Sequence, residues 1–219
     1  MRRFHYELER RLAERVRTAP VGQRSAVTRT AYNELLQKVP WHPEFHVPVD
    51  ERRRQAAGTA ARCARHIQSA HVIADLGCGN GQVLQFLAQK YPDKRFMGVD
   101  ISDVFLEDAE RPPPNLALAV GDIVDPPILP GSVDIALSSH VVEHLHPEHV
   151  PRHLAAVLGL LRPGGVYYLE TPNRASGPHD VSKGFDRVAT GFHLKEWTYG
   201  ELALAFRAAG FVDVRCDVP

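Results

Sequence analysis

The sequence has few cysteines, no net charge and no long apolar run, and each shortage excludes a class of protein. The three cysteines, Cys63, Cys78 and Cys216, are too few and too scattered for a disulfide framework or a thiolate metal site. Basic and acidic residues both number 26, so no general electrostatic attraction to nucleic acid or membrane surfaces is expected.

Membrane insertion and secretion are not expected either. No apolar run in the sequence approaches the roughly 18 residues of a membrane-spanning helix. The N-terminal stretch M-R-R-F-H-Y-E-L-E-R-R-L carries charges throughout, unlike a signal peptide. These features together predict a cytoplasmic protein.

Histidine, by contrast, is abundant. The chain has 12 histidines among 219 residues, enough to make a histidine-based site a candidate. The hydrophobic fraction of 44% and the charged fraction of 24% are ordinary for a globular protein. The length allows one large domain with an appendage.

The N-terminal third has helical periodicity. Apolar residues at Phe4, Leu8, Leu12 and Val16 recur every four positions between charged residues, which indicates an amphipathic helix. The prolines of P-W-H-P-E-F-H-V-P are expected to keep that segment extended. We expect residues 1–70 to form a helical cap or lid on the following domain. Helices are predicted over 3–17, 24–38 and 50–69.

From residue 72 onward, short apolar runs alternate with helical segments. This alternation predicts an α/β domain over residues 71–219, with a parallel sheet covered by helices on both faces. Strands are predicted over 72–76, 95–100, 116–120, 133–137, 166–169 and 211–215. Helices are predicted over 80–91, 102–110, 148–161 and 198–209.

A glycine-rich loop follows the first strand in V-I-A-D-L-G-C-G-N-G-Q-V-L. Gly77, Gly79 and Gly81 permit a tight turn and let a ligand lie against bare backbone. Their spacing is G-x-G-x-G, which differs from the G-x-G-x-x-G of dinucleotide-binding loops. Asp75 would repel a pyrophosphate but suits a ligand with a positively charged amino group. A nicotinamide dehydrogenase is therefore disfavoured.

This loop resembles the first motif of the class I S-adenosylmethionine-dependent methyltransferases. Further motifs follow in the family's order: M-G-V-D-I-S, V-G-D-I-V and L-L-R-P-G-G-V-Y-Y-L. The resemblance implies that Asp100 binds the ribose hydroxyls of S-adenosyl-L-methionine and that Asp122 contacts its adenine amino group. The implied cofactor-binding residues are Asp75, Gly77, Cys78, Gly79, Asp100, Ile101, Asp122, Ile123 and Ser139.

The resemblance also implies a fold, a Rossmann-like doubly wound, mostly parallel sheet. The family has seven strands, the last of them antiparallel, whereas this sequence stops just after the sixth predicted strand. Either the last strand is absent or the sheet is completed in another way.

The stretch S-S-H-V-V-E-H-L follows the fourth predicted strand, and its polar side chains need an explanation. His140, Glu143 and His144 have the spacing i, i+3 and i+4, which would place them on one face of a helical turn. Ligands of open parallel sheets bind at the carboxyl ends of strands, where this stretch lies. Three interpretations stay open: structural residues, a histidine general base, or a divalent metal site.

A distant segment favours the metal interpretation. In G-F-H-L-K-E-W-T, His193 stands three residues before Glu196, as a metal-ligating histidine does in small-RNA 3′-end 2′-O-methyltransferases, which this segment resembles. Their upstream ligands read Glu-x-x-Glu-His, a cluster that ubiquinone-pathway O-methyltransferases share. Here His140 replaces the first glutamate. A set of His140, Glu143, His144 and His193 would favour zinc, iron or manganese over magnesium.

These features predict an S-adenosylmethionine-dependent O-methyltransferase that acts on a small hydroxylated molecule. The same four residues, His140, Glu143, His144 and His193, are its predicted catalytic residues, with His140 or His193 as general base if no metal takes part. RNA is a second candidate acceptor, disfavoured by the zero net charge. A non-catalytic cofactor-binding module on the same fold is the remaining alternative.

Overall fold

The computed structural model describes residues 2–39, 41, 49–107, 109 and 111–216. The predicted extended segment over residues 40–48 lies outside these ranges, except for Trp41, which is exposed. Within the described residues, the predicted α/β architecture is confirmed. The five strands are β1 (Val72–Leu76), β2 (Arg95–Asp100), β3 (Leu116–Val120), β4 (Val133–Ser139) and β5 (Leu161–Glu170).

The strands form a parallel sheet in the order β3-β2-β1-β4-β5. From β1 the chain adds β2 and β3 on one side of the sheet and then β4 and β5 on the other side. Sheets of this kind bind ligands at the carboxyl ends of the two strands where the order changes, here β1 and β4. All five residues of β1 are buried, as expected for a central parallel strand covered on both faces.

Two groups of helices cover the sheet. On one face, Ile73 and Phe96 of the sheet pack with Ile67 at the end of the helix before β1 and with Leu84 of the helix after β1. On the other face, Ala74 and Val99 pack with Val157 and Leu160 of the helix before β5. The helices are α1 (Arg2–Thr18), α2 (Arg24–Lys38), α3 (Val49–Ile67), α4 (Gln82–Lys90), α5 (Asp103–Glu107), α6 (Val150–Leu160) and α7 (Tyr199–Ala209).

Helices α1 and α2 pack against each other and enclose a small core of their own. Leu12, Val16 and Leu35 are almost completely buried there. Phe192, from the long loop between β5 and α7, completes this core. The N-terminal helices are therefore attached to the loop that carries His193. Their assignment as a separate cap over residues 1–70 stays a prediction.

The C-terminal region corrects one prediction. Residues 211–215 do not form a sixth strand, and β5 is an edge of the sheet among the described residues. Phe211 instead places its ring 5.0 Å from the ring of Phe206 and 6.2 Å from that of Tyr167, centroid to centroid. Val212 is 99% exposed. Phe211 and Val214 thus pack against the core beside α7, whereas Val212 points into solvent.

Helix α7 begins with a capping box. The Thr198 hydroxyl accepts a hydrogen bond from the backbone N–H of Glu201, whose carboxylate accepts one from the backbone N–H of Thr198. This cap fixes the chain direction directly after the segment that carries His193 and Glu196. Among the described residues, no helix is both long enough and apolar enough to cross a membrane.

Candidate active site

The glycine-rich turn between β1 and α4 lies directly beneath the S-S-H-V-V-E-H-L segment. Gly77 has a φ of 87°, and a Cβ there would lie 2.4 Å from Cγ2 of Val141. Gly79 has a φ of 55° and open space around its α-carbon. The turn therefore needs glycine at Gly77 for close packing and leaves the backbone of Gly79 accessible to a ligand.

Asp75, at the end of β1, is a buried carboxylate that lacks a cationic partner. Burial and the nearby carboxylate of Asp100 raise its pKa to about 7. Within the part of the chain that the structure describes, no group donates a hydrogen bond to it. A cavity of about 20 Å³ lies beside it, lined also by Thr59, Cys63 and Ser139. Such a carboxylate would be stabilised by a ligand ammonium group.

Asp100 and Asp122 follow β2 and β3 at the same edge of the sheet. The carboxylate of Asp100 accepts hydrogen bonds from the backbone N–H groups of Gly79 (2.8 Å) and Ser102 (2.9 Å). One oxygen of Asp122 accepts from the backbone N–H of Val124 at 2.9 Å. Its other oxygen accepts from the hydroxyl of Ser25, at the start of α2. Helix α2 therefore reaches the predicted adenine site.

The other predicted cofactor residues lie around the same edge, in different environments. Burial raises the pKa of the half-buried Cys78 thiol, which makes it a poor nucleophile. Ile101 is half-buried, whereas Ile123 is buried beneath the edge. The Ser139 hydroxyl donates to Glu170 at 3.2 Å. None of these positions conflicts with a cofactor at this edge, and their roles remain predictions.

His140 marks a sharp bend at the end of β4. It is the non-glycine residue with positive φ, at 57°, among the described residues. The chain then forms a turn instead of the helical segment that would have placed three polar residues on one face. The His140 side chain is 66% exposed, and its Nδ1 lies 3.4 Å from Glu143 Oε1. This contact raises the pKa of His140.

Glu143 is completely buried, and one of its two carboxylate oxygens makes no hydrogen bond within the described part of the chain, although it lies 3.4 Å from Nδ1 of His140. Oε2 accepts a hydrogen bond from the Thr171 hydroxyl at 2.9 Å. Oε1 has no hydrogen-bond partner among the described residues. Burial favours the protonated form of Glu143, but His140 and His144 outweigh it and lower the pKa. The site therefore holds a buried negative charge with a free lone pair.

His144 and His193 meet edge to face, with ring centroids 4.8 Å apart. Nδ1 of His144 lies 3.0 Å from the carbonyl oxygen of Phe192 and 2.8 Å from the hydroxyl of Tyr32. Nδ1 of His193 lies 2.8 Å from Oε1 of Glu196. A carbonyl or carboxylate oxygen can only accept, so each Nδ1 carries a proton, and the lone pair of either ring in its neutral form lies on Nε2. Burial lowers the pKa of His144, which favours its neutral form.

Glu143, His144 and His193 thus converge. Each offers one ligand atom, and the three atoms lie within 4.8 Å of one another. Two neutral imidazoles and a carboxylate are a donor set that suits a divalent transition ion, and the Glu143 oxygen that makes no hydrogen bond to a described residue fits such an ion. His140 does not belong to this group of three, although it lies next to Glu143.

The loop between β5 and α7 carries further charged residues. Asp180 accepts hydrogen bonds from the backbone N–H groups of Ser182 (3.0 Å) and Gly191 (2.7 Å), so it organises the loop. Lys183 and Arg187 are exposed. Sequence reasoning missed Ser25, Tyr32 and Glu196 as partners of the site. The adjacency of Glu196 to His193 in H-L-K-E was the one available signal.

Comparison with known proteins indicates a methyltransferase domain. Residues 73–165 match the family described as "Methyltransferase domain". The trans-aconitate 2-methyltransferase of Methylobacterium radiotolerans is 33% identical over 141 residues, which are 63% of this chain and 52% of that protein. The enzyme of the same name from Deinococcus radiodurans is 35% identical over 134 residues, 60% and 49% of the two chains. The chain spans about half the length of the curated relatives it matches.

Solved structures with the same fold include a SAM-dependent methyltransferase from Archaeoglobus fulgidus. It superposes with a TM-score of 0.62 at 22% identity, over 74% of this chain and 71% of that one. The expected Rossmann-like fold is therefore confirmed.

Proposed function

Because residues 73–165 match the family described as "Methyltransferase domain", we propose that this chain transfers a methyl group from S-adenosyl-L-methionine to an oxygen of a small hydroxylated molecule. One observation carries the proposal: the group of Glu143, His144 and His193 lies at the edge of the sheet that holds Asp75. The close contact between Val141 and Gly77 joins the two. A donor site and a proton-accepting site would therefore lie next to each other.

The donor half would bind both ends of the cofactor, the amino acid end and the nucleoside end. The unpartnered carboxylate of Asp75 would pair with the ammonium group of S-adenosyl-L-methionine, and the bare backbone at Gly79 would lie against it. Asp100 would accept from the ribose hydroxyls. Asp122 would accept from the adenine amino group, sharing its carboxylate with Ser25.

The acceptor half would prepare an oxygen nucleophile. A lone pair of the acceptor oxygen attacks the methyl carbon, and the carbon–sulfur bond breaks with its electrons going to sulfur. The hydroxyl proton passes to an imidazole, for which His193 Nε2 is available and His140 is the second candidate. A hydroxyl is a weak nucleophile near neutral pH, so orienting and deprotonating it is where these residues would act.

As the alternative to a histidine base, Glu143, His144 and His193 would hold a divalent ion, with zinc, iron or manganese favoured by this donor set; His193 Nε2 would then be a ligand and not the proton acceptor. Such an ion would supply a Lewis acid that lowers the pKa of the acceptor hydroxyl. His140 would then contact Glu143 from outside, as its exposed position suggests.

A small acceptor is favoured over RNA. The related proteins from two bacteria carry the name of a small-molecule enzyme, and the zero net charge of this chain offers no general attraction to a polyanion. Their named substrate is a carboxylic acid, so a carboxylate oxygen is the second acceptor that we propose to test.

The test combines calorimetry with methyl transfer. We expect heat on titration with S-adenosylmethionine and with its demethylated product. With radiolabelled donor, we expect label in members of a panel of phenols, hydroxy acids and carboxylic acids including trans-aconitate, and none in a short RNA with a free 3′ end. Label in the RNA alone would overturn the small-acceptor proposal, and donor binding with no acceptor would favour a non-catalytic module.

A further inference from the structure

Both imidazoles of the site depend on one short segment, Gly191–His193. The carbonyl oxygen of Phe192 faces Nδ1 of His144, which also contacts the hydroxyl of Tyr32, while the next residue is His193 itself. A shift of this segment would therefore move His193 and remove one of the two oxygens that orient His144. The anchors of Gly191–His193 thus contribute to the geometry of the group.

Helix α1 anchors the backbone of this segment from the outside. The guanidinium of Arg17 donates to the carbonyl oxygens of Thr190 (3.1 Å), Gly191 (2.9 Å) and His193 (3.3 Å). The carboxylate of Glu9, which is 5% exposed, accepts from the backbone N–H of Phe192 at 2.9 Å. Three carbonyls satisfied by one planar guanidinium are a contact that a lysine could not reproduce.

Glu196 anchors the imidazole of His193 from the inside. It is 5% exposed, and its Oε1 accepts both from Nδ1 of His193 (2.8 Å) and from the backbone N–H of His179 (2.7 Å). Gly177 leaves room for the carboxylate, because a Cβ there would lie 2.2 Å from Oε2 of Glu196. The carboxylate thus fixes the ring orientation and keeps the proton on Nδ1.

We infer that Arg17 and Glu196 are positioning residues of the site, which together direct Nε2 of His193 towards Glu143 and His144. Neither residue needs to touch the substrate. The N-terminal helix α1 is therefore part of the site's framework and not merely a cover. This inference rests on the proposed role of the three-residue group but can fail independently of it.

The direct test is the tautomer of His193 in the protein without added ligand, observed by long-range ¹H–¹⁵N NMR correlation near pH 7.5. We expect the Nδ1–H form in the wild type. Glu196→Met removes the acceptor and should yield a mixture of tautomers, whereas Glu196→Gln keeps a carbonyl acceptor and should restore the Nδ1–H form. An unchanged tautomer in Glu196→Met would overturn the role of Glu196.

Titration with Zn²⁺ supplies a second readout. We expect Glu196→Met and Arg17→Met to lower Zn²⁺ affinity at least tenfold, within the 10- to 100-fold range known for outer-shell partners of metal ligands. S-adenosylmethionine affinity should stay within about twofold in both. Arg11→Met is the matched control on the same helix, because Arg11 is 65% exposed and makes one long ion pair of 3.9 Å.

The outcomes separate the two proposals. If the wild type binds no Zn²⁺, the metal part of the proposed function fails, and the tautomer measurement alone decides this inference. If Arg17→Met leaves both the tautomer of His193 and the Zn²⁺ affinity unchanged, α1 does not position the site. A loss of donor affinity in either variant would point to general unfolding and would contradict a positioning role.

Discussion

The two halves of the candidate site are built in different ways. The donor half is formed by short stretches at the carboxyl ends of β1, β2, β3 and β4, each of which is recognisable in the sequence by itself. The acceptor half is assembled from Glu143 and His144 after β4 and from His193 some fifty residues later, and α1 and α2 hold it. The geometry of a local motif is little affected by substitutions in distant elements. The geometry of Glu143, His144 and His193, by contrast, depends on each of the elements that hold them.

The largest effect is expected from Glu143→Gln, which tests whether the acceptor half acts separately from the donor half. We expect methyl transfer to fall at least 100-fold, because the buried negative charge is lost, while S-adenosylmethionine affinity stays within about twofold. Turnover assays and calorimetry on the same preparation measure both. The exposed Glu107→Gln is the control, and full turnover in Glu143→Gln would remove this group from the mechanism.

Asp75→Asn should separate cofactor binding from stability. Donor affinity is expected to fall at least tenfold, since the ammonium partner is lost. The free energy of unfolding without ligand should rise, because Asp75 has a folded-state pKa of about 7 against about 3.9 in unfolded chains. This difference is worth on the order of 4 kcal/mol above pH 7. Denaturant titrations at pH 5 and pH 8 would check it, and a loss of stability at pH 8 contradicts the assignment.

The pH dependence of donor binding sharpens the same comparison. Below about pH 7 the free protein holds Asp75 protonated, so binding an ammonium there must release a proton. Affinity is therefore expected to rise as the pH increases from about 5.5 to 7.5 and to level off above that. Calorimetry in two buffers of different ionisation enthalpy counts the released proton. The Asp75→Asn variant should release none.

The smallest effect is expected from Ser25→Ala, which probes the contact between α2 and the donor half. The Ser25 hydroxyl occupies one oxygen of Asp122, so its removal frees an acceptor for the adenine amino group. We expect donor affinity to rise by up to about threefold. A fall of that size in the same calorimetric titration would show that Ser25 orients Asp122 and does not compete for it.

The difference between the halves also explains why the donor half could be predicted from local sequence and the acceptor half could not. Strands β1, β2 and β3 have the predicted bounds, because buried apolar runs between turn residues leave little ambiguity. Asp75 and the glycine turn were recognisable as one continuous motif. The convergence of Glu143, His144 and His193 was expected from resemblance alone, since residues so far apart in sequence carry no local signal of contact.

Other features could not be read from the sequence for physical reasons. The partners Ser25, Tyr32 and Arg17 come from helices whose docking depends on tertiary packing around Phe192. The predicted strand over residues 211–215 was wrong because its apolar residues suit a covering segment as well as a strand. His140 was expected on a helical face, but its left-handed backbone turns the side chain outward.

The contact between Val141 and Gly77 has a geometric consequence for chemistry. Methyl transfer requires donor carbon and acceptor oxygen to approach in line, and a displacement of about 1 Å can cost a hundredfold in rate. Here the isopropyl group of one residue rests against the α-carbon of the other, so neither loop can move closer. This contact would then set the shortest possible distance between the donor carbon and the acceptor oxygen. Any side chain at residue 77 would increase that distance by pushing the two loops apart.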